Sequence, residues 1–454
     1  MARMTHATCS WLASSPSNFN LSTGRGRLSL PRLFLCRELQ GGDSERDNGM
    51  WRGFDRVRRA IQIGTIVLLA AAVYGQGAAP PDGPREKALL LESQGKDAEA
   101  EEAWRAVLKA RPSSPEPYAH LGLLEAKQEN YKDAVADYRK ALAIGPNLPA
   151  LRFNLGLALF KDGDLKSAIR EFEPLLKQAP ESSPDNLRLT ILLGMAHYGL
   201  AEYAKAAPYL KSASDRDPNN LSLLLALAHS YLWSEQFSKV MDVYHQILAL
   251  NAESAEADVL AGEALDEMKD SDGAIKMFRA AEAANPKEPD VHFGLGYLFW
   301  MRKQYPEALA EFQAEVDNNP DHAQSLVYLG DCYLQLNKPD DARAPLEKGL
   351  ALNPSLGVAD LDLGIIDSQA GRNDDALREL KKALVLMPND VDAHWRLGRL
   401  LRTMGHAEEA NAEFEAAKKL NQASDEDLYR KIENGKLKGR ADTQTPQAPA
   451  APAQ

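Results

Sequence analysis

A small residue and a large apolar residue recur together along residues 81–422. Successive small residues are 34 positions apart in every interval except one of 38. The large apolar residue always follows four positions later, so the two share one face of a helix. A face that repeats in this way predicts a chain built from a repeating helical unit. The small residues are Ala100, Ala134, Ala168, Ala206, Val240, Ala274, Ala308, Ala342, Ala376 and Ala410.

Gly and Pro complete the unit. Gly stands twelve residues before the small residue in eight units, and Pro stands twelve residues after it in eight units. These positions resemble the tetratricopeptide repeat (TPR), with its pattern W-x2-L-G-x2-Y…A-x3-F…P. The resemblance covers residues 81 to about 422 and implies an all-α fold, a right-handed alpha-alpha superhelical solenoid of about ten TPR hairpins. The large apolar residues are Trp104, Tyr138, Phe172, Leu210, Tyr244, Phe278, Phe312, Leu346, Leu380 and Phe414.

Each position of the unit has a steric reason. Gly and Ala belong where the two helices of a hairpin cross, because a larger side chain would push them apart. Repeat 5 has Ala228, Val240 and Ala252 where Gly, Ala and Pro are usual, which predicts a looser crossing. The four extra residues fall at 181–186, which predicts a longer turn between repeats 3 and 4.

The segment after the tenth repeat is polar. Residues 423–436 begin with a cap residue and acids and end near Gly435, which predicts a separate capping helix that shields the last apolar face. Residues 437–454 end in a run rich in Pro, Ala and Gln, which predicts a disordered tail.

A basic segment precedes an apolar run near the start of the chain. Four Arg residues stand between positions 52 and 59, and Ile61–Gly75 is apolar. Since about 20 apolar residues are needed to span a membrane, residues 50–78 are expected to be a signal peptide. This predicts export, either to the periplasm or by secretion, with no stable membrane span after cleavage. An uncleaved signal that anchors the protein in the membrane is the alternative.

Residues 1–49 precede this segment, although a signal peptide should begin a chain. We interpret them as an upstream extension, with Met50 as the natural start. The alternative is a mitochondrial transit peptide, because the leader is rich in Arg and Ser and has no acidic residue before Glu38.

The charge distribution argues against a nucleic-acid partner. The chain carries a net charge of −12, but its first 75 residues hold ten Arg and five acids, which leaves −17 on the rest. Phosphate binding requires cationic contacts. The balance suits instead a protein or peptide partner, with a basic partner as one option.

The sequence shows no catalytic arrangement. Residues 270–273 resemble part of a calcium loop, but Met268 and Arg279 stand at its first and twelfth ligand positions. The nine His residues form no pair at the i, i+4 spacing of a zinc-binding helix. We therefore expect no enzyme activity, no cofactor and no metal site.

The resemblance to TPR proteins implies that the first helix of each hairpin lines a concave face that binds the partner. Trp233, Trp300 and Met301 are the strongest candidates, because other residues of their helices already occupy the packing positions. A core position is the alternative for the aromatic residues, and a solvated face is the alternative for the acids. The candidate partner-binding residues are Tyr198, Trp233, Glu263, Asp266, Tyr297, Trp300, Met301, Arg399 and Arg402.

The Arg residues of repeat 10 also have a structural alternative. Arg396, Arg399 and Arg402 are spaced three apart on the predicted first helix. Instead of binding a partner, they could pair with acids on the first helix of repeat 9. Those acids are Asp360, Asp362 and Asp367.

The function implied is a non-enzymatic protein–protein interaction scaffold. It would hold a peptide or protein segment in the concave groove of repeats 5 to 7. The alternative is an accessory subunit of a larger envelope or glycosyltransferase-type complex.

We predict that the mature protein begins near Gln76, because small residues follow the apolar run there. Intact mass and N-terminal sequencing of the native protein measure this directly. A native species that keeps residues 1–49 would contradict the assignment of Met50 as the start.

Overall fold

The structure, a computed structural model, describes residues 83–250 and 253–441. These residues form twenty α-helices and no β-strand, which confirms the all-α fold. The helices pair along the chain into ten hairpins, one for each repeat, and the odd-numbered helix of each pair comes first. The predicted signal peptide and the upstream extension lie outside the described residues.

The helices are α1 (Gly83–Ser93), α2 (Asp97–Ala110), α3 (Pro115–Lys127), α4 (Tyr131–Ile144), α5 (Pro149–Asp162), α6 (Leu165–Gln178), α7 (Pro184–Gly199), α8 (Tyr203–Arg216), α9 (Leu221–Trp233), α10 (Phe237–Ala249), α11 (Ala255–Glu267), α12 (Ser271–Ala284), α13 (Val291–Met301), α14 (Tyr305–Asn318), α15 (Ala323–Gln335), α16 (Pro339–Leu352), α17 (Gly357–Gln369), α18 (Asn373–Leu386), α19 (Val391–Thr403) and α20 (Ala407–Ala441).

The described residues divide into two compact units. The N-terminal unit ends at Gly294 and the C-terminal unit begins at Leu295. In the N-terminal unit, one apolar core runs through repeats 2 to 6 and a smaller one joins repeats 1 and 2. In the C-terminal unit, one core joins repeats 8 and 9 and another joins repeats 9 and 10. Each core forms between adjacent hairpins, as in a helical solenoid, because a single hairpin cannot bury its own apolar face.

The large apolar residue of a repeat lies against the Gly of the same repeat. A Cβ atom placed on Gly156 would lie 2.4 Å from Cε1 of Phe172, and one on Gly296 would lie 2.8 Å from Cδ1 of Phe312. Both Phe rings are fully buried. The Gly therefore makes room for the ring, which explains the spacing seen in the sequence.

Repeat 5 differs at its crossing. Ala228 stands in place of the Gly, and helices α9 and α10 are in less extensive contact than the helix pairs of repeats 4 and 6, as predicted. Tyr244, the large residue of this repeat, donates its hydroxyl hydrogen to Asp258 Oδ1 of repeat 6 at 2.7 Å. A polar contact with the next repeat thus supplements the looser crossing.

The four extra residues lengthen a helix more than a turn. Helix α7 has 16 residues, whereas α5 has 14 and α9 has 13. Ser183 Oγ accepts a hydrogen bond from the N–H of Asn186 at 3.1 Å, and Pro184 follows at the first helical position. A Ser cap followed by Pro favours helix initiation. The predicted longer turn is therefore largely an earlier start of α7.

The last helix is longer than the sequence predicted. Helix α20 has 35 residues, so residues 423–436 continue the second helix of repeat 10 and do not start a capping helix. Residues 437–441, predicted to belong to the disordered tail, are also part of this helix. Good helix formers such as Lys, Glu and Ala dominate the segment, and no Pro interrupts it. Within residues 83–250 and 253–441, no helix is both long and apolar enough to cross a membrane.

The turn inside every hairpin contains one residue in the left-handed region of the backbone. One residue with positive φ occurs in each of the ten turns, and four of these residues are Gly. In the second repeat, for example, the N–H of Asn130 donates to the carbonyl of Glu125 at 2.9 Å, which is the hydrogen bond of a Schellman motif. The six non-glycine residues in this conformation are Glu129, Ala201, Glu235, Lys269, Lys303 and Asn337.

We predict that Gly163→Ala lowers the free energy of unfolding by about 1–2 kcal/mol, because an L-residue is strained in the left-handed region. Gly163 has φ +90° and nothing within 4 Å of an added Cβ, so the loss would come from backbone strain and not from a collision. Denaturant titration measures the change. Gly83→Ala is the control, since its Cβ also meets no atom but its φ is not positive. Equal losses in the two variants would contradict the explanation.

Candidate functional site

The first helices of successive repeats touch each other on the predicted binding face. In the N-terminal unit, the ring of Tyr198 on α7 lies edge-on to that of His229 on α9, with centroids 6.1 Å apart. His229 Nε2 lies 3.6 Å from Glu256 Oε1 on α11. The positions expected to bind a ligand are therefore also positions at which neighbouring first helices make contact.

Tyr198 is a core residue, and Trp233 is not fully buried. Tyr198 is only 6% exposed and packs edge-on to Tyr203 at 5.6 Å between centroids. Tyr203 in turn stacks on Trp233 at 5.9 Å. Trp233 is half-buried, so it keeps surface that a partner could cover. Of the two aromatic candidates in this unit, only Trp233 keeps such surface.

The two acidic candidates, Glu263 and Asp266, lie on α11, beside Glu267. Glu263 is 5% exposed, so the solvated-face interpretation is wrong for this residue, whereas Asp266 and Glu267 are half-buried. Burial raises the pKa of the Glu263 carboxyl group well above its ordinary value, and the acids Asp290, Glu267 and Asp266 raise it further. No cationic side chain of the described residues contributes to this shift. Burial and the neighbouring acids therefore both disfavour the ionised form of Glu263.

Trp300 joins repeats 7 and 8 in the C-terminal unit. Its Nε1–H donates to Asp331 Oδ2, and its ring lies edge-on to Tyr328 at 5.1 Å between centroids. It also stacks on Tyr297, which is only 3% exposed and therefore a core residue. Trp300 and Met301 are half-buried. The expectation that packing does not need Trp300 is thus wrong, because Trp300 binds the next first helix.

The Arg candidates lie near the end of the C-terminal unit and are exposed. Arg399 places its guanidinium group 4.8 Å from the ring of Trp395, one helical turn earlier. Arg402 places its own group 4.5 Å from the ring of Phe414 on α20. Trp395 is 44% exposed and lines a cavity of ≈ 530 Å³ together with Phe414 and Lys418. The two Arg residues are therefore not part of the aromatic group around Trp300.

The alternative of ion pairs between repeats 9 and 10 fails for Arg396, the first Arg of the series. Its Nε donates to Asp392 Oδ2 on the same helix at 2.8 Å. Asp367 pairs instead with Arg343 and with Arg372. The alternative that the Arg residues of α19 neutralise the acids of α17 is therefore wrong for these residues.

A buried carboxyl pair in repeat 9 was missed by sequence reasoning. Asp360 on α17 is 2% exposed and Glu379 on α18 is 8% exposed. Burial, followed by hydrogen bonding to Glu379, raises the pKa of Asp360 from 3.8 to about 7. The two residues are 19 apart, so only the folded hairpin brings them together. In repeat 10 the equivalent residues are His394 and Glu413, a base paired with an acid, so an acid in place of that base was the available signal.

We predict that Asp360→Asn stabilises the protein relative to the wild type more at pH 8 than at pH 5. Since the folded-state pKa is raised, folded Asp360 holds a proton between about pH 4 and 7 that the unfolded chain has lost. The stability this proton provides is therefore present at low pH and lost as the pH rises through about 7. Melting temperatures at both pH values measure the effect. The exposed Asp374→Asn is the control, and the same pH dependence in both variants would refute the prediction.

Three sequence profiles of this repeat type match the chain. One described as tetratricopeptide repeat matches residues 153–220, 259–323 and 304–356. Another with the same description matches residues 197–261 and 368–432, and one described as TPR repeat matches residues 123–163. Together the matches span residues 123–356 and 368–432, well over half of the chain. No curated protein matches the sequence.

Several solved structures are similar to this chain. A tetratricopeptide repeat protein from Parabacteroides merdae is 21% identical, with a TM-score of 0.44, over 56% of this chain and 98% of that protein. YrrB, described as a TPR protein with an unusual peptide-binding site, is 18% identical, with a TM-score of 0.34, over 42% of this chain and 97% of its own. MamA is 21% identical, with a TM-score of 0.32, over 36% of this chain and 96% of its own.

Proposed function

Since this chain belongs to the tetratricopeptide repeat family, whose members are protein-interaction scaffolds, we propose that it binds a segment of a partner protein on the first helices of repeats 4 to 6. The observation that carries this is the half-buried Trp233 on the same face as the acids of α11. Trp is one of the residue types that most often dominate the binding energy of a protein interface. The net charge of −17 on residues 76–454 favours a basic partner.

The proposed role requires no chemistry from the scaffold itself. Helical repeats present an extended surface, so affinity comes from side-chain pockets along it. We propose a non-enzymatic role, in which the partner segment is held and positioned. The basic and apolar sequence of residues 50–78 supports action after export, in the periplasm or outside the cell.

A second candidate function is that of an accessory subunit of a larger complex, with the contact away from the first helices. Exposed apolar side chains at the ends of second helices favour it. In the C-terminal unit, Leu352 at the end of α16 is 40% exposed, and Val385 and Leu386 at the end of α18 are 80% and 41% exposed. Exposed apolar residues at equivalent places in successive repeats can form a contact surface.

We predict that a photo-crosslinking amino acid at position 233 captures the native partner, whereas one at position 385 does not. The segment of that partner that crosslinks should then bind the purified full chain about tenfold or more weakly after Trp233→Ala, because aromatic residues dominate interface energetics. Isothermal titration calorimetry measures the affinity. Val385→Ala is the matched control and should leave the affinity unchanged.

The reverse pattern would overturn the site. Capture at position 385 alone, with Trp233→Ala binding normally, would favour the accessory-subunit function. Because Trp233 stacks on Tyr203, thermal melting of the variant must accompany the titration. Trp233→Phe, which keeps an aromatic ring on Tyr203, should retain most of the affinity. If Trp233→Ala only lowers the melting temperature and the folded fraction binds normally, Trp233 is a packing residue.

A further inference from the structure

The last hairpin leaves part of its apolar surface uncovered. Phe414 on α20, the large apolar residue of repeat 10, is half-buried, whereas Phe312 at the same position of repeat 7 is fully buried. There the next hairpin covers the ring, since Tyr328 of repeat 8 stacks on Phe312 at 5.5 Å between centroids. No hairpin follows repeat 10 among the described residues, so the ring of Phe414 keeps surface that a partner can cover.

A cavity of ≈ 530 Å³ lies on this uncovered surface. Its apolar lining consists of Val391 and Trp395 of α19 and of Phe414 and Ala417 of α20. Trp395 is 44% exposed, so much of this residue is in contact with water. Covering it with an apolar side chain would be favourable, because apolar surface would leave water. The cavity therefore suits an apolar side chain of a partner.

Two guanidinium groups lie beside the cavity. That of Arg399 is 4.8 Å from the ring of Trp395, one helical turn earlier. That of Arg402 is 4.5 Å from the ring of Phe414. Both Arg side chains are exposed, and no carboxylate of the described residues pairs with either of them. Their charges are therefore available to a partner.

The aromatic rings position these cations without saturating them. A ring attracts a cation through its negative face but accepts no ordinary hydrogen bond. Each guanidinium group therefore retains N–H donors in a planar fork, which matches the two oxygen atoms of a carboxylate. Since contact with the ring already restricts a long and flexible side chain, binding a carboxylate costs less conformational entropy.

The charge of the whole chain favours a short acidic protein segment over a nucleic acid. Residues 76–454 carry a net charge of −17, so a chain of phosphates that extends beyond the two Arg residues would be repelled. A protein segment can place acids only where the Arg residues lie and apolar atoms elsewhere. This pattern matches a cavity with apolar walls and two cations at its edge.

We propose that repeat 10 carries a second binding site, which accepts a protein segment with one apolar residue and two acidic residues at alternate positions. The apolar side chain occupies the cavity beside Trp395 and Phe414. The two carboxylates pair with Arg399 and Arg402, each through two N–H···O hydrogen bonds. The site goes beyond the proposed function, because it involves neither Trp233 nor a basic partner.

The spacing on α19 matches alternate residues of an extended segment. Arg399 and Arg402 follow Trp395 by four and seven residues, which corresponds to roughly 6 and 10 Å along the helix axis. Alternate residues of an extended chain lie on one side of it, about 7 Å apart. An apolar residue and two acids at alternate positions therefore reach the cavity and both Arg residues together.

The test uses two peptides of opposite direction on the full-length protein: acetyl-Phe-Gly-Glu-Gly-Glu-amide and acetyl-Glu-Gly-Glu-Gly-Phe-amide. Their blocked ends leave the Glu side chains as the only carboxylates. By calorimetry we expect saturable binding of at least one peptide, and about tenfold weaker binding after Gln replaces both Glu or Ala replaces Phe. Binding should also weaken as the salt concentration rises.

Arg399→Gln and Arg402→Gln should each weaken the better of the two peptides by about tenfold, because each removes one charge-assisted pair. Lys419→Gln is the matched control: it makes the same change of charge on the exposed surface of α20, outside the cavity lining, and should change the affinity less than twofold. Arg399→Lys keeps the charge without the planar fork, so its affinity should stay below that of the wild type. Thermal melting of each variant verifies the fold, and the exposed Arg399 decides the question should Arg402→Gln unfold the last hairpin.

Several results would overturn this site: no saturable binding of either peptide, equal binding of the Gln peptide, full affinity in Arg399→Lys, equal losses in Arg399→Gln and Lys419→Gln, or inorganic phosphate that binds as tightly as the peptides. The last result would indicate a general anion site. Self-association of the chain that disappears in Trp395→Ala, measured by analytical ultracentrifugation, would instead assign the surface to a second copy. None of these results involves Trp233, so the proposed function is tested separately.

Discussion

Two helices can pack as closely as those of each hairpin only if one of them presents almost no side chain at the crossing. Gly156 and Gly296 meet this condition, and the Phe ring of the same repeat fills the space beside each of them. The ring then lies between hairpins, so one crossing also creates the apolar surface that the next hairpin covers. Repeat 5, with Ala228 in the place of Gly, shows the cost of departing from the rule: its helices are in less extensive contact.

This constraint explains why the fold could be predicted and the site largely could not. Both residues of a crossing belong to the same 34-residue unit. They therefore recur at a fixed spacing and can be identified in the sequence. The burial of Tyr198 and Tyr297 depends on the next repeat, and so does the hydrogen bond from Trp300 to Asp331. No helical periodicity reports such contacts. They follow from which side chains happen to face each other across two repeats.

Some of the missed features could nevertheless have been predicted from the sequence. Arg399 stacks on Trp395 four residues earlier, which is the spacing of neighbours on a helix face. The early start of α7 was also visible, as Ser183 followed by Pro184. The length of α20 could not be predicted in this way, because polar helix-forming residues are equally typical of a separate helix or a tail.

The long final helix has a geometric consequence. At 1.5 Å per residue, the 35 residues of α20 extend about 52 Å, whereas the 13 residues of its partner α19 extend about 20 Å. The last hairpin therefore ends roughly 30 Å before the helix does, and Ala441 stands well clear of it. Anything fused after this residue, such as a fluorescent protein or an affinity matrix, would be held roughly 30 Å away from the repeats. The helix makes this end a natural rigid spacer for surface immobilisation.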